Sequence, residues 1–468
     1  MALAYAMPRV VATVLLPATL LLISGCVLAP GRAAERRKLD EQKQYQRPIE
    51  DRQLAAVPAP AQWGDVLERA FLTNGDLEAS YDQWRAAVAR IDQMGAWPNS
   101  NVMVSYSYLF SGGNMKGWDR TTLGAGFDPS MNLQLPIKTR RAGKVAVEEA
   151  RAAAARFRKT KFDLQRRVLE GYYGLALVEE RLRIQRDNVE LLSQLVQSAQ
   201  SRVRAGAPQQ DLLKTQIEYR LAQNELTALE AEVRGERAML NAMLARAPEE
   251  PLELPLQLPP PRPAAPDDRL IAMGVAENPE LAALAAQVAG RNEALELARL
   301  QYVPDIIPMF SMMGSASQSL GAAVMLPTNV PAIRGMINEA KAMLDESRSM
   351  ARQTRLDRAS AFVAALYFMR SAEKQAELLE GDVLPLAQQA MTSSLQAYAA
   401  GTVSYSDLID TQRTLLNLRV MAAQMRVERE KRLAELESLA GVDVETLERS
   451  QDQHPQTQPA AIQAGSGE

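Results

Sequence analysis

The sequence predicts a mainly α fold with a small β part, in which duplicated long α-helical hairpins are joined to four strands. Three observations predict it. Pro-free, Gly-poor stretches carry apolar residues at seven-residue spacing over lengths no ordinary globule holds. Short stretches between them alternate at period two, the strand signature. The whole pattern is written twice along the 468 residues.

The first long stretch runs from Thr139 to Arg204 without Pro. Val168, Leu175, Leu182, Val189, Val196 and Val203 fall on one heptad line, and Leu212, Tyr219, Leu226, Val233 and Leu240 continue it on the return. Such a repeat underwinds helices into a left-handed supercoil. Gly206-Ala207-Pro208 reverses the chain, with Gly as a C-terminal cap and Pro suited to a first helical turn. At 1.5 Å per residue the outgoing helix is roughly 100 Å long and the return roughly 55 Å. A separate helix from Asp76 to Trp97 adds roughly 33 Å, so two shorter helices end to end nearly match one long one. The second half repeats this with Glu280 to Tyr302, Ile333 to Ala400 and Ser406 to Ala440, turning at Gly401. Pro385 falls inside the second long helix and predicts a kink.

The strands lie between these helices. Val102, Val104, Tyr106, Tyr108 and Phe110 alternate with Asn101, Met103, Ser105, Ser107 and Leu109. About 9 to 11 residues is the length of a tilted transmembrane strand. Leu123 to Pro136 is the expected return, with Met131, Leu133 and Leu135 alternating against Asn132 and Gln134. The second half offers Asp305 to Gly314 and Ser319 to Pro327. These look shorter and more apolar, and Pro308 is awkward inside a strand. Four strands cannot close a membrane barrel, which needs roughly eight or more, and open edges are not tolerated in lipid. Strands that enter a membrane here must share a barrel among several copies.

The ends and the join complete the organisation. Arg9, the apolar run Val10 to Ile23 and small residues read as a signal peptide over 1–25. Ile23-Ser24-Gly25-Cys26 resembles the bacterial lipobox, which implies cleavage before Cys26 and fatty acylation of its thiol; an ordinary secretory signal with a chance Cys is the plainer reading. Residues 26–65 form a polar leader tethered to Cys26. The first repeat covers 66–247, with its strand pair at 101–136 and its hairpin turn near 206. A Pro-rich connector spans 248–267. The second repeat covers 268–446, with strands at 305–327 and a turn near 401, and 447–468 is a polar tail of disordered character.

Composition removes several function classes. Lys and Arg number 53 against 56 Asp and Glu, for a net charge of −3, so there is no basic footprint for nucleic acid. His454 is the only histidine and Cys26 the only cysteine, which excludes a His triad, a His-rich zinc site and any intramolecular disulfide. We find no nucleophile, phosphate or metal motif and expect no enzyme. Met309, Met312, Met313 and Met325 could suit a soft metal, but methionine also fills apolar gaps, and they are read as packing. No cofactor is expected beyond the covalent lipid on Cys26.

Several elements in order resemble the TolC-like outer-membrane efflux protein family. These are the duplicated pattern, Leu135-Pro136 and Leu326-Pro327 closing the strand pairs, and Gly206…Asp211-Leu212-Leu213 with Gly401…Asp407-Leu408-Ile409-Asp410. Trp97-Pro98-Asn99 is similar to the Pro-Asn of heavy-metal-type members. The resemblance covers Leu54 to about Val444. It implies a lipid-anchored homotrimer whose four strands per protomer form a shared 12-stranded outer-membrane β-barrel, above a periplasmic helical tunnel. It implies as partners a periplasmic adaptor, also called a membrane fusion protein, and an inner-membrane transporter of RND type, with passive conduction of the substrate. It places a channel constriction at Asp407 and Asp410, a gate latch at Tyr398 and Asp211, and adaptor docking at the Gly206 and Gly401 turns. Val403 stands where some members carry Arg.

The residues also admit plainer roles. Asp407 and Asp410, at i and i+3, share a helix face, and aspartate at a helix start favours the positive dipole end. Tyr398 also fits a heptad seam, and Asp211 an N-cap. A lipid-anchored periplasmic coiled-coil adaptor or scaffold without a pore is the alternative function. It accounts for the rods and Cys26, but not for two strand pairs in matching places.

Overall fold

The Pro-free stretches become long helices in the computed structural model, which describes residues 27–54, 56–96, 102–111, 113, 116–127, 135–206, 208–314 and 317–443. In chain order these are α1 Arg32–Asp40, α2 Trp63–Thr73, α3 Gly75–Gly95, β1 Val102–Tyr108, β2 Thr121–Phe127, α4 Pro136–Arg204 and α5 Gln209–Met243. Then follow α6 Asp267–Met273, α7 Pro279–Arg299, β3 Asp305–Met313, β4 Ser317–Met325, α8 Val330–Leu378, α9 Leu384–Ala399 and α10 Tyr405–Ala440. The order helix, strand, strand, long helix, return helix therefore runs twice. The described residues form two compact units. The first draws on 27–43, 80–157 and 280–354, and the second on 44–79, 158–279 and 355–443. Cys26, the signal segment and the tail beyond 443 lie outside the described residues.

In the first unit the four strands make one antiparallel sheet in the order β1-β2-β3-β4. The two strand pairs are thus fused, β2 to β3, with Leu123 opposite Met312. Three expectations are corrected. The return strand begins at Thr121, two residues before Leu123, and Pro136 already opens α4; β2 is described to Phe127, and residues 128–134, with the alternation at 131–134, lie outside the described residues. Among the described residues the second pair is not the shorter one: β3 and β4 have 9 residues each, against 7 in each strand of the first pair. Pro308 sits within β3, opposite Ala322 of β4. Among the described residues the β2–β3 register ends at Met309, so on that side Pro308 behaves as an edge residue, where proline is tolerated.

At the β3–β4 turn Gly314 has φ +48°, and its N–H donates to Thr121 O at 2.9 Å. A Cβ there would lie 2.4 Å from Asp119 Cα, so only glycine fits. The sheet is tied to its helices by Lys138. This nearly buried side chain reaches Asp305 Oδ2 and Val303 O, both at 2.8 Å, while Leu135 N–H donates to Asp305 Oδ1 at 3.1 Å. Tyr81 and Trp84 of α3 pack on Phe157 of α4, the Trp84 and Phe157 rings stacked at 5.6 Å. The leader is less free than its polarity suggests. Leu28 N–H donates to Gly95 O at 2.7 Å, and the fully buried Glu35 pairs with Arg151 and Lys38.

The second unit shows how the heptads pack. Val168, Leu175 and Leu182 are buried, whereas Val189, Val196 and Val203 are half-buried, and the buried line continues through Gln185, Leu192 and Ala199. On α5, Leu212, Tyr219 and Leu226 are half-buried while Thr215, Ala222 and Leu229 are buried. The seam therefore uses two adjacent heptad lines. An α-helix drifts about 20° per heptad against a strict 3.5-residue repeat, which moves contact from one line to the other. Pro385 perturbs its helix as expected, in the form of a π-turn over Leu379–Val383 before α9. Proline lacks an N–H and crowds the carbonyl four residues back, at Gly381, and the wider turn accommodates both.

Candidate functional site

Two features of the described chain are candidate functional sites: the helix turns and the sheet. At the first turn Gly206 takes φ +99° and its N–H donates to Val203 O at 3.0 Å. At the second, Gly401 takes φ +76° and Thr402 N–H donates to Ala397 O at 2.9 Å. Left-handed backbone at a helix end favours glycine, which is why both reversals carry one. Ser404 then caps α10. Its Oγ accepts from Asp407 N–H at 3.2 Å and donates to Asp407 Oδ2 at 2.7 Å. Asp407 therefore supports the helix start, the plainer role foreseen for it. Asp407 and Asp410 both remain exposed, beside the buried Leu408 and Ile409.

One core joins all four helices at these turns. Leu192 and Leu195 of α4, Ala222 of α5, Met391 and Tyr398 of α9, and Leu408 and Leu415 of α10 belong to it. The Tyr398 and Tyr405 rings meet edge to face at 6.2 Å. Burial pushes the Tyr405 hydroxyl up to about 12. Polar links cross between the hairpins at Gln412–Asn188 and Arg413–Glu218.

The sequence reading missed Arg202. Its guanidinium stacks 4.4 Å from the Tyr398 ring centre, and Nη1 donates to Tyr398 O at 3.2 Å. Arginine in the last turn of a helix, here Arg202 with Arg204, reads as an ordinary dipole partner, so nothing local announced it. Tyr398 is thus gathered with Arg202 and Tyr405. Asp211 is half-buried and its carbonyl accepts from Thr215 Oγ1 at 2.7 Å; among the described residues its carboxylate makes no hydrogen bond or ion pair.

The sheet has two chemically different faces. Register places Val104, Ala125, Phe310 and Leu320 in one row across all four strands. The next row, on the opposite face, is Ser105, Gly124, Ser311 and Ser319. On the apolar face Leu320 is 84 %, Val104 73 % and Tyr106 68 % exposed. Among the described residues no group of three or more His, Cys, Asp or Glu is placed to hold a metal, and no helix is long and apolar enough to cross a membrane.

A mainly helical chain with a small sheet, arranged in this order, has the fold of outer-membrane channels. Residues 66–246 match the model of the outer membrane efflux protein family. It is 24% identical over 298 residues to the cobalt-zinc-cadmium resistance protein CzcC of Cupriavidus metallidurans, covering 62% of this chain and 71% of that one. In fold it is similar to the outer membrane protein VceC of Vibrio cholerae, with TM-score 0.68 and 15% identity, over 82% of this chain and 97% of the other. It is likewise similar to the open state of the MtrE outer membrane channel of Neisseria gonorrhoeae, with TM-score 0.65 and 16% identity, over 82% and 89%.

Proposed function

We propose that the protein is the outer-membrane channel of a tripartite efflux system, conducting substrate passively from an inner-membrane pump and a periplasmic adaptor to the exterior. The observation that carries this is the two-faced sheet. An apolar row with Val104 and Leu320 exposed stands on one side, a row of Ser and Gly stands on the other, and β1 and β4 leave edges that one chain cannot close. Three copies supplying four strands each would make a 12-stranded barrel, apolar towards lipid and polar towards the lumen. Unpartnered apolar residues on the helices support assembly: Leu213, Ile217 and Leu221 on α5, and Leu356, Val363 and Tyr367 on α8, are all exposed in one chain.

The same proposal includes acylation of Cys26 at the periplasmic leaflet and adaptor docking at the Gly206 and Gly401 turns. The latch read at Tyr398 and Asp211 would tie neighbouring hairpins shut. The name of the metal-resistance relative, together with Trp97-Pro98-Asn99, favours an RND-type pump for metal cations. The expected result is a heat-modifiable trimer, extracted by detergent from membranes, labelled by palmitate at Cys26 and conducting ions in a planar bilayer. A labelled species that never conducts would instead support the lipid-anchored scaffold.

Asp407 and Asp410 supply the proposed constriction. Three copies would bring six carboxylates near one axis, favouring cations and binding divalent ions. Asp407→Asn with Asp410→Asn should lower cation selectivity and weaken divalent block without preventing assembly. Unchanged selectivity and block in single-channel recordings would put the constriction elsewhere.

A further inference from the structure

Arg202 stands at the C-terminal end of α4, one turn before the chain reverses, yet its guanidinium is spent on the other hairpin. It lies 4.4 Å from the centre of the Tyr398 ring and donates to the Tyr398 carbonyl at 3.2 Å. A Cβ on Gly401, in the second turn, would come 3.9 Å from Arg202 Nη2, so the same group reaches the turn itself. The Tyr398 carbonyl belongs to the last turn of α9, where it also accepts from Gly401 N–H at 3.0 Å and where a cation is favoured. One side chain thus caps a helix of the second hairpin, stacks on its aromatic ring and stands against its glycine turn. Deeper links between the hairpins, at Asn188–Gln412 and Glu218–Arg413, lie further from the reversals along their helices. The buried core begins with Tyr398 and Tyr405 and runs on to Leu415 and Leu192. Among the described residues Arg202 is the cross-hairpin contact nearest both turns, and its own side chain stands outside that core.

We propose that Arg202 is a gating residue: its clasp on Tyr398 holds the second hairpin's turn against the first in the closed channel, and parts when the turns spread. This rests on the channel reading above. It is distinct from the Tyr398–Asp211 latch, because it uses the ring face and the main-chain carbonyl rather than the tyrosine hydroxyl.

The test is single-channel recording of the full trimer at rest. Arg202→Ala should raise resting open probability roughly tenfold, the scale of a partly desolvated cation–π contact with its hydrogen bond. Arg202→Lys keeps the charge but loses the planar fork, and should fall between parent and alanine. Tyr398→Leu removes the ring, keeps an apolar side chain and should leak similarly. Adding Arg202→Ala to Tyr398→Leu should then change little, whereas adding it to Asp211→Ala should give its full effect. Resting conductance of Arg202→Ala equal to the parent's would overturn the proposal. So would a full Arg202→Ala effect in the Tyr398→Leu background. If Arg202→Ala forms no trimers, Tyr398→Leu and Arg202→Lys decide alone: parent-like closure in both would overturn it. If the parent trimer itself never conducts, the channel reading fails instead, and the two failures are told apart.

Discussion

Replacing Arg262 with methionine is expected to destabilise the second unit by about 3–5 kcal/mol, the scale for breaking a buried ion pair from one side. Arg262 is 4 % exposed, and its partners Glu430 and Glu437 are buried as deeply. Its Nε meets Glu430 Oε2 at 3.0 Å and its Nη1 meets Glu437 Oε1 at 3.1 Å. The main chain joins in: Arg262 N–H donates to Glu430 Oε1 at 3.2 Å, and Arg429 donates to the Arg262 carbonyl. Burial alone would lower the Arg262 pKa, but Glu437 and then Glu430 more than offset it, so its charge is held firmly. Methionine would fill much of the volume but remove the guanidinium that both buried carboxylates share, leaving Glu430 with Arg429 alone as its cation. The loss should read as a lower midpoint in thermal unfolding followed by circular dichroism. Neutralising both partners as well, by Glu430→Gln and Glu437→Gln, should recover much of it. Arg183→Ala, which removes an ion pair on the helix surface, should cost no more than about 1 kcal/mol. An Arg262→Met protein as stable as the parent would show that the connector is held by its apolar contacts alone.

The same residue shows where sequence reading stops. The long helices were legible because their periodicity repeats over many turns, and each turn testifies to the same answer. The helix break near Pro385 was legible because proline acts locally, although the π-turn before it was not. Arg262 was invisible. It lies in a Pro-rich segment that reads as an extended connector, and its partners stand on α10, more than a hundred and sixty residues away. Arg202 was hidden for the same reason, since Tyr398 comes from the other hairpin. In the sheet, alternation gave the strands their faces, but not their ends or the β2–β3 pairing. Pro308 looked forbidden until the register showed where the β2 contact ends. What the chain says locally was readable, and what two distant segments say to each other was not.

Leu320→Arg should prevent membrane insertion, while Ser319→Arg should permit it. The two positions are adjacent on β4 and point to opposite faces, because strand side chains alternate. Leu320 pairs with Phe310 in the apolar row, whereas Ser319 pairs with Ser311 in the Ser and Gly row, its Oγ donating to the Ser311 carbonyl at 3.3 Å. In the proposed barrel an arginine on the lipid face costs about 2–4 kcal/mol near the bilayer midplane. A trimer carries that cost three times, enough to shift insertion by many orders of magnitude. On the lumen face the same arginine stays hydrated and adds three positive charges to the pore. The expected outcome is that Leu320→Arg yields no heat-modifiable trimer in the outer-membrane fraction. Ser319→Arg should yield normal trimers with lower conductance and weaker cation preference. The lipid-anchored scaffold predicts something different, because neither side of the sheet would then meet lipid and both variants would fractionate like the parent. Normal insertion and conduction of Leu320→Arg would therefore remove the membrane assignment of this face, and with it the barrel.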